Sequence, residues 1–355
     1  MLFVCLSVSC WGQSWSYFQR TVEPEVLSAP AACSVADSVV KYQLPNGGWP
    51  KNQNWVAGPN LAEMEQCRQT GVGATIDNEA TWGELRFLAR FMAQRKAADN
   101  EPYRAAFLRG LDYLFRIQYA NGGFPQFYPQ KSPTHYSRYI TFNDNATTNV
   151  LRLLRDISLN REPYASLRLP DSLRTKAAER YRQGVDCVLN CQIRVDDTLT
   201  VWCQQHDEQT LKPTKARAYE LPSFSGEGET CDILMFLMEE EQPSERLCHA
   251  VEAAVRWLRA HALRDVRLEN FTNEEGKPDK RLVHSPGAPL LWARFYDLAT
   301  QCPYFCDRDG VPRPQLSDIG YERRNGYRWI GSQPLAVFAR YKDFARLHHL
   351  FDEKF

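Results

Sequence analysis

The sequence lacks a net charge, a long apolar run and a flexible linker. Its 43 lysines and arginines balance its 43 aspartates and glutamates, so its overall charge gives no attraction for nucleic acid or for an anionic membrane. The apolar stretch near the start, residues 2–8, is too short to cross a bilayer. No Gly/Ser-rich or Pro/Thr-rich segment divides the chain. We therefore predict a monomer with no nucleic-acid partner and no membrane span, in which residues 28–355 form one domain.

Residues 1–13 combine an apolar centre with a small-residue end, which is typical of a secretory signal that lacks its basic beginning. We interpret them as a signal-peptide remnant, which predicts a secreted or periplasmic protein, or one displayed on the outer surface. A buried N-terminal strand is one alternative. A lipid anchor on Cys10 is another, but the preceding residues fit such a signal poorly.

Histidine is scarce, with seven residues, whereas cysteine is frequent, with eleven. Two cysteine pairs, Cys187 with Cys191 and Cys302 with Cys306, have three residues between them. This spacing suits either a local disulfide or two corners of a zinc site. Because neither pair has nearby histidines or a second close pair, we predict one or two disulfides and otherwise buried thiols, as in an exported protein.

Apolar residues recur at helical spacing along most of the chain. The pattern predicts helices at residues 35–42, around 107–115, and at 173–191, 226–240 and 244–263. It predicts three further helices that begin near Trp82, Val150 and Pro334. A polar stretch at residues 270–280 indicates an exposed hairpin or excursion. The fold class is therefore mainly α with a small β-containing part.

Two short motifs each occur twice. Asn46-Gly-Gly-Trp-Pro returns as Asn121-Gly-Gly-Phe-Pro, and Ile76-Asp-Asn-Glu-Ala-Thr returns as Asn143-Asp-Asn-Ala-Thr. Each motif follows or precedes a predicted helix, which is typical of helical hairpins that bury their apolar faces against neighbouring hairpins. We therefore predict an α/α toroid, a ring of helical hairpins with the repeated loops on one rim.

Each copy of the second motif carries one aspartate, Asp77 or Asp144, and we expect the two to hold equivalent places and converge. A single aspartate before a helix usually caps it. Two carboxylates beside Asn78 and Asn145, however, form an oxygen-rich but incomplete shell for a hard cation. Since Ca²⁺ takes about six to eight oxygens, an acidic substrate would have to complete such a site. We predict Asp77 and Asp144 as calcium ligands.

The loop of residues 202–223 concentrates Lys212, Lys215 and Arg217 around two prolines. With Arg294, these cations suit negatively charged sugar or phosphate groups, because arginine binds carboxylates through two parallel hydrogen bonds. The alternative is a solvated basic surface loop. We predict that Lys212, Lys215 and Arg294 bind substrate.

Aromatic residues follow several of the predicted turns and could stack on sugar rings: Trp49, Phe124, Trp202 and Trp292. Core packing is the alternative for each, because tryptophan and phenylalanine mostly supply buried area. Lys51 follows the first of them and joins Trp49 as a predicted substrate-binding residue. We also predict His206 as a substrate-binding residue. Beside Asp207 it has the arrangement of an oriented general base, and a structural hydrogen-bonded histidine is the alternative.

Taken together, these motifs are similar to those of the pectate lyases of polysaccharide lyase family ten. The resemblance runs from about residue 35 to 335 and rests on the segments Asn46–Asn52, Ile76–Trp82, Phe142–Thr147, Trp202–Asp207 and Lys212–Ser223. It implies an α/α toroid with calcium-dependent cleavage of α-1,4-linked polygalacturonate. It also implies that Asp77 and Asp144 associate with calcium, that Arg217 is the catalytic base, and that Arg294 binds a substrate carboxylate.

The implied reaction is β-elimination. Cations neutralise a galacturonate carboxylate and acidify its C5 proton, a base removes that proton, and the C4 oxygen leaves to give a 4,5-unsaturated product. A guanidinium normally stays protonated, with a pKa above about 12, so we expect calcium, Lys212 and Lys215 to lower the pKa of Arg217. His206 or Lys215 is the alternative base.

Two other protein classes fit parts of the pattern. The stretch Gln118-Tyr-Ala-Asn-Gly-Gly-Phe resembles turns of terpene cyclase and prenyltransferase-like toroids, but the Asp-Asp-x-x-Asp motif expected there does not occur. A toroid that binds acidic polysaccharide without cleaving it is the second alternative, which the release of unsaturated uronate would exclude.

Overall fold

A computed structural model describes residues 14–350, so the signal-peptide interpretation of residues 1–13 and the proposed anchor on Cys10 lie outside the described residues. The chain is mainly helical. Its helices are α1 Trp15–Arg20, α2 Pro24–Ser28, α3 Pro30–Lys41, α4 Leu61–Thr70, α5 Trp82–Ala93, α6 Glu101–Ile117, α7 Ala146–Ser158, α8 Asp171–Asn190, α9 Glu229–Leu237, α10 Glu245–Ala260, α11 Tyr321–Gly326 and α12 Gln333–Leu347.

The strands are short and pair two by two. They are β1 Ile140–Thr141, β2 Arg194–Val195, β3 Thr198–Leu199, β4 Gln205–His206, β5 Ser223–Ser225, β6 Val266–Thr272, β7 Pro278–His284, β8 Trp292–Ala293, β9 Phe295–Asp297, β10 Phe305–Cys306, β11 Pro312–Arg313 and β12 Ile330–Gly331. The antiparallel pairs are β1 with β4, β2 with β3, β5 with β9, β6 with β7, β8 with β12 and β10 with β11. The predicted hairpin around residues 270–280 is β6 and β7, joined at a turn with Gly276 at φ 74°.

The chain divides into two compact units whose segments alternate along the sequence. The first unit holds the described residues up to Gln118, with Phe127–Lys131 and Leu153–Tyr181. The second holds Tyr119–Gln126, Ser132–Arg152 and the chain from Arg182 onward. The single domain over residues 28–355 stays a prediction.

The predicted apolar faces are buried. In the first unit, Leu85 and Leu88 of α5 and Phe107, Leu111 and Leu114 of α6 have no exposed surface. Their spacing of three or four residues places them on one side of each helix. Between residues 14 and 350, no helix is long and apolar enough to span a membrane.

The Gly-Gly turns exist because the backbone approaches a neighbouring helix closely. A Cβ on Gly47, whose φ is 96°, would lie 2.4 Å from the Arg109 carbonyl oxygen. One on Gly122, whose φ is 90°, would lie 1.9 Å from the Gln183 carbonyl oxygen. Only glycine combines the left-handed conformation with this contact.

The aromatic residues after these turns belong to the core, and the expectation that they stack on sugars is wrong. Trp49, Trp202 and Trp292 have no exposed surface, and neither has Phe124. Each tryptophan donates its indole N–H to a helix carbonyl, at 2.7 to 2.8 Å: Val39, Val188 and Leu258. A ring that has both faces packed and its N–H bonded cannot meet a substrate.

The predicted disulfides are absent from the described part of the chain, where all nine cysteines are thiols. The Cys191 amide donates to the Cys187 carbonyl at 2.9 Å, which is helical geometry. The two thiols form a hydrogen bond with each other, and no disulfide joins them. Cys302 and Cys306 donate to backbone carbonyls, those of Thr300 and Asp307.

Candidate active site

The first repeated loop, residues 75–81, is a tight turn fixed by hydroxyl groups. The Thr81 hydroxyl donates to the Thr75 carbonyl at 2.7 Å and accepts from the Trp49 amide at 3.0 Å. Asn78, Glu79 and Thr81 all have positive φ. Helix α5 therefore begins at Trp82, and the capping alternative for Asp77 is wrong, because Thr81 occupies the N-cap position.

Asp77 is fully buried inside this loop and faces a lysine. Its Oδ2 accepts from the Lys51 Nζ at 2.5 Å, and Lys51 is one-quarter exposed. Its Oδ1 has no hydrogen-bond partner within residues 14–350. Beside this pair, the Asn78 amide donates to the Asn52 Oδ1 at 2.9 Å.

The second repeated loop, residues 141–147, has the same framework in a different register. The Thr147 hydroxyl donates to the Thr141 carbonyl at 2.6 Å, across the same six positions as in the first loop. This bond matches Asp77 to Asn143 and Asn78 to Asp144. The expectation that Asp77 and Asp144 hold equivalent places is therefore wrong by one residue, and the two belong to different compact units.

Asn143 connects Asp144 to Arg294 within the second unit. Its amide group donates to the Asp144 Oδ2 at 2.7 Å, and its Oδ1 accepts from the Arg294 Nη2 at 3.3 Å. Arg294 also donates to Glu229, which is buried in the first turn of α9. The Ser225 hydroxyl donates to the second Glu229 oxygen at 2.8 Å.

Arg294 is a buried cation, with 11% of its side chain exposed. Burial by itself lowers the pKa of Arg294, but Glu229, Tyr327 and Glu220 together more than offset this and raise it. The guanidinium carbon also lies 4.7 Å from the centre of the Tyr327 ring. These contacts hold the guanidinium charged and fixed in direction.

Arg217 is similarly held by a buried carboxylate. Its Nη1 lies 3.4 Å from the Glu220 Oε1, its backbone N–H donates to the Glu220 Oε2 at 3.1 Å, and its Nη1 donates to the Tyr219 hydroxyl at 3.2 Å. Burial lowers the pKa of Arg217. The Glu220 charge and the hydrogen bonds with Tyr219 and Tyr136 together raise it by more, so the pKa lies above its ordinary value. The protein's own groups therefore raise this pKa, and the lowering expected from bound calcium stays a prediction.

Lys212 and Lys215, in the same loop as Arg217, are exposed. Lys212 lines a cavity of about 540 Å³ with Cys191 and Phe224. The Lys215 Nζ lies near Gly310, and its charge acts on the Cys306 thiol. The part assigned to them in lowering the pKa of Arg217 is not what the structure shows.

Tyr327 joins the two arginine sites. Its hydroxyl donates to the Glu220 Oε1 at 3.2 Å, while its ring faces Arg294. Sequence reasoning missed Tyr327, Glu220 and Glu229. Glu220 follows Arg217 closely enough to be a candidate partner, but Arg294 lies 65 residues from Glu229, and Glu220 lies 107 residues from Tyr327, so these pairs leave no local signal.

His206 has a structural role, and its prediction as a substrate-binding residue or alternative base is wrong. It has no exposed surface. Its Nδ1–H donates to the Leu211 carbonyl at 2.8 Å and its Nε2 accepts from the Cys203 amide at 3.0 Å. Burial lowers the pKa of His206 to about 4, so the ring is neutral at physiological pH.

The solved structures similar to this chain include two of a family 10 polysaccharide lyase from Cellvibrio cellulosa. The first shares 34% identity and covers 89% of this chain and 93% of that chain, with a TM-score of 0.75. The second, a mutant in complex with trigalacturonic acid, shares 33% identity over 92% of this chain and 98% of that chain, with a TM-score of 0.73. The comparison with curated proteins gave no match.

This likeness in sequence and fold defines the class of the protein, which is a polysaccharide lyase. The family model described as pectic acid lyase matches residues 43–338, and the chain belongs to that family. The fold class and the enzyme class predicted from the sequence are confirmed. The alternative of a terpene cyclase or prenyltransferase-like toroid is thereby set aside.

Proposed function

We propose that this protein is a pectate lyase that cleaves α-1,4-linked polygalacturonate by β-elimination and releases 4,5-unsaturated oligogalacturonates. The observation that carries the proposal is the cluster of Arg217 and Arg294 around Glu220 and Tyr327, in a chain that belongs to the pectic acid lyase family. A fixed pair of guanidinium groups suits a substrate that carries a carboxylate on every sugar.

Arg294 is the proposed ligand of the substrate carboxylate. Its Nε is a donor without a hydrogen-bond partner in the described residues, while Glu229 and Asn143 fix the Nη2 side of the group. Neutralising the carboxylate makes loss of the C5 proton easier, because negative charge develops on that side of the sugar in the transition state.

Arg217 is the proposed base that takes the C5 proton. Glu220 keeps its guanidinium charged, so the base form requires that substrate binding change this pairing. Its side chain is 36% exposed, which leaves it accessible to a polymer. Lys51 is a further proposed substrate-binding residue, and the exposed Lys212 and Lys215 remain proposed contacts to outer sugars.

Calcium is the proposed cofactor, held by Asp77 and Asp144. The donor chemistry fits, since Asp77 has a carboxylate oxygen without a partner and each loop adds amide oxygens. Within residues 14–350 no three His, Cys, Asp or Glu side chains form a metal cluster, so the remaining ligands would come from the substrate. When bound, calcium would neutralise uronate charge and acidify the C5 proton.

The ultraviolet absorbance of the unsaturated product tests the function directly. We expect absorbance to rise when the protein meets polygalacturonate with Ca²⁺, and to stop rising when EDTA is added. Absorbance that is indifferent to EDTA would contradict the calcium role. Binding of polygalacturonate without any absorbance change would instead favour the non-catalytic polysaccharide-binding protein.

We also propose that the protein acts outside the cytoplasm, because its polymeric substrate is too large to enter a cell. We further propose that it is a monomer. Cell fractionation and size-exclusion chromatography test these two points. Activity confined to the cytoplasm would contradict the first, and elution at twice the mass of 41.0 kDa would contradict the second.

A further inference from the structure

We propose that helix α1, Trp15–Arg20, is a positioning element for the loop that carries Asp77 and Asn78. The helix lies outside residues 43–338, which the family model matches. The inference rests on the proposed function for its consequence in catalysis, but its structural part can be tested without activity.

Gln19 makes the central contact between the helix and the loop. Its side chain donates to the Glu79 carbonyl at 3.0 Å, and its own carbonyl accepts from Arg90. A Cβ on Gly83 would lie only 1.9 Å from the Gln19 Nε2. The amide therefore sits directly against the first turn of α5, in space that glycine leaves open.

Arg20 adds a second contact to the same residue. Its Nη2 lies 2.6 Å from the Glu79 Oε1, and its Nη1 donates to the Ser16 hydroxyl at 2.8 Å. Because 65% of the Arg20 side chain is exposed, we expect this ion pair to contribute little to stability. The buried Gln19 hydrogen bond is the stronger of the two contacts.

Trp15 extends the contact to the segment that supplies Lys51 and Asn52. Its ring meets Phe87 edge-on at 5.4 Å and Trp55 edge-on at 6.4 Å between centroids. The buried Trp55 follows Asn52, which accepts the hydrogen bond from Asn78. Helix α1 therefore packs against both segments that form the Lys51–Asp77 pair.

The first loop needs such support because of its residue types. Glu79 has φ 65° and Thr81 has φ 63°, a left-handed conformation that costs roughly 1 kcal/mol or more for ordinary residues. In the second loop the matching residue to Glu79 is Asn145, at φ 59°, and asparagine tolerates this conformation well. The bonds from Gln19 and Arg20 to Glu79 offset the difference.

Hydrogen exchange of the loop amides in the apo protein gives a readout that is independent of activity. Gln19→Ala should speed exchange of the Ala80 and Gly83 amides, which donate to Asp77 and Glu79 carbonyls, by roughly five- to tenfold, as expected from one buried hydrogen bond. Gln69→Ala on the exposed face of α4 is the control and should leave these amides unchanged. Unchanged exchange in Gln19→Ala would overturn the proposal.

A second background separates positioning from general loss of stability. Asparagine at position 79 should adopt the positive φ without support from helix α1. Gln19→Ala should therefore speed amide exchange less in the Glu79→Asn background than in the wild type. In lyase assays Gln19→Ala should raise the Ca²⁺ concentration for half-maximal activity several-fold. Equal effects of Gln19→Ala in both backgrounds would overturn the proposal, whereas an inactive wild type would overturn only the proposed function.

Discussion

Two cations of this protein, Lys51 and Arg294, hold the same position relative to a buried tryptophan but have different surroundings. Lys51 and Arg294 each stand two residues after a buried tryptophan whose indole binds a helix carbonyl, and each meets a buried carboxylate. Lys51 is 25% exposed and its partner Asp77 comes from a nearby loop, whereas Arg294 is 11% exposed and its partner Glu229 comes from a helix start. The buried tryptophan fixes the position of each cation, and the carboxylate partner sets how exposed and how strongly held the cation is.

The largest expected effect comes from removing the proposed base. Arg217→Ala should lower kcat on polygalacturonate by roughly a thousandfold, within the range of general-base catalysis, whereas Lys215→Ala in the same loop should change it less than about threefold, as a screened surface charge. Steady-state absorbance assays measure both. Comparable losses in the two variants would show that the loop acts through its total charge.

Glu229→Gln and Asp77→Asn compare how much each buried carboxylate contributes to stability at its cation site. Glu229→Gln leaves Arg294 buried without its counter-ion, which should cost roughly 3 kcal/mol of unfolding free energy, and it should raise KM. Asp77→Asn should cost less, because Lys51 can turn toward water. Urea unfolding of both variants decides the order, and equal losses would mean that the two pairs are energetically alike.

Two buried groups, one in each compact unit, should respond to pH in opposite ways. In the first unit, burial raises the pKa of Glu84 to about 7, so its contribution to stability is lost as pH rises from about 4.5 to 7. In the second, burial lowers the pKa of His206 to about 4, so its contribution is lost as pH falls from 6.5 to 4. Each is worth up to roughly 3 kcal/mol.

Glu84→Gln tests the first of these contributions. Because the variant lacks the contribution that is lost as pH rises from about 4.5 to 7, the wild type should lose stability relative to the variant over this range. Gln retains an oxygen for the Trp55 indole, which now donates to the Glu84 Oε1 at 2.8 Å. A wild type and variant with parallel pH profiles would show that Glu84 has an ordinary pKa.

The smallest expected effect comes from making the second loop resemble the first. Asn143→Asp would place a carboxylate against the Asp144 Oδ2, which now accepts from the Asn143 amide at 2.7 Å. We expect a loss of roughly 1 kcal/mol, since Arg294 partly compensates the new charge. Thermal unfolding measures it, and a gain in stability would indicate that Arg294 dominates the electrostatics of this loop.

Much of the fold could be predicted from the sequence, because apolar periodicity and turn glycines act locally. The faces of α5 and α6, the Gly-Gly turns and the β6–β7 hairpin were all expected. Helix α1 was missed because its six residues are too few to show a period. The match of Asp77 to Asp144 failed because sequence similarity aligned the aspartates, whereas the threonine hydroxyl bonds set the register.

By itself the sequence determined the helical class of the fold, the repeated turns and the family, because each depends on residues that are close together in the chain. Only the tertiary structure decided which polar side chains can act. Trp49 and His206 are chemically suitable but buried with their polar atoms bonded, and Arg217 and Arg294 are held by glutamates that local patterns did not identify as their partners. Burial and charge pairing depend on which segments pack together in the fold. A buried charge is costly unless such packing supplies it with a partner of opposite charge.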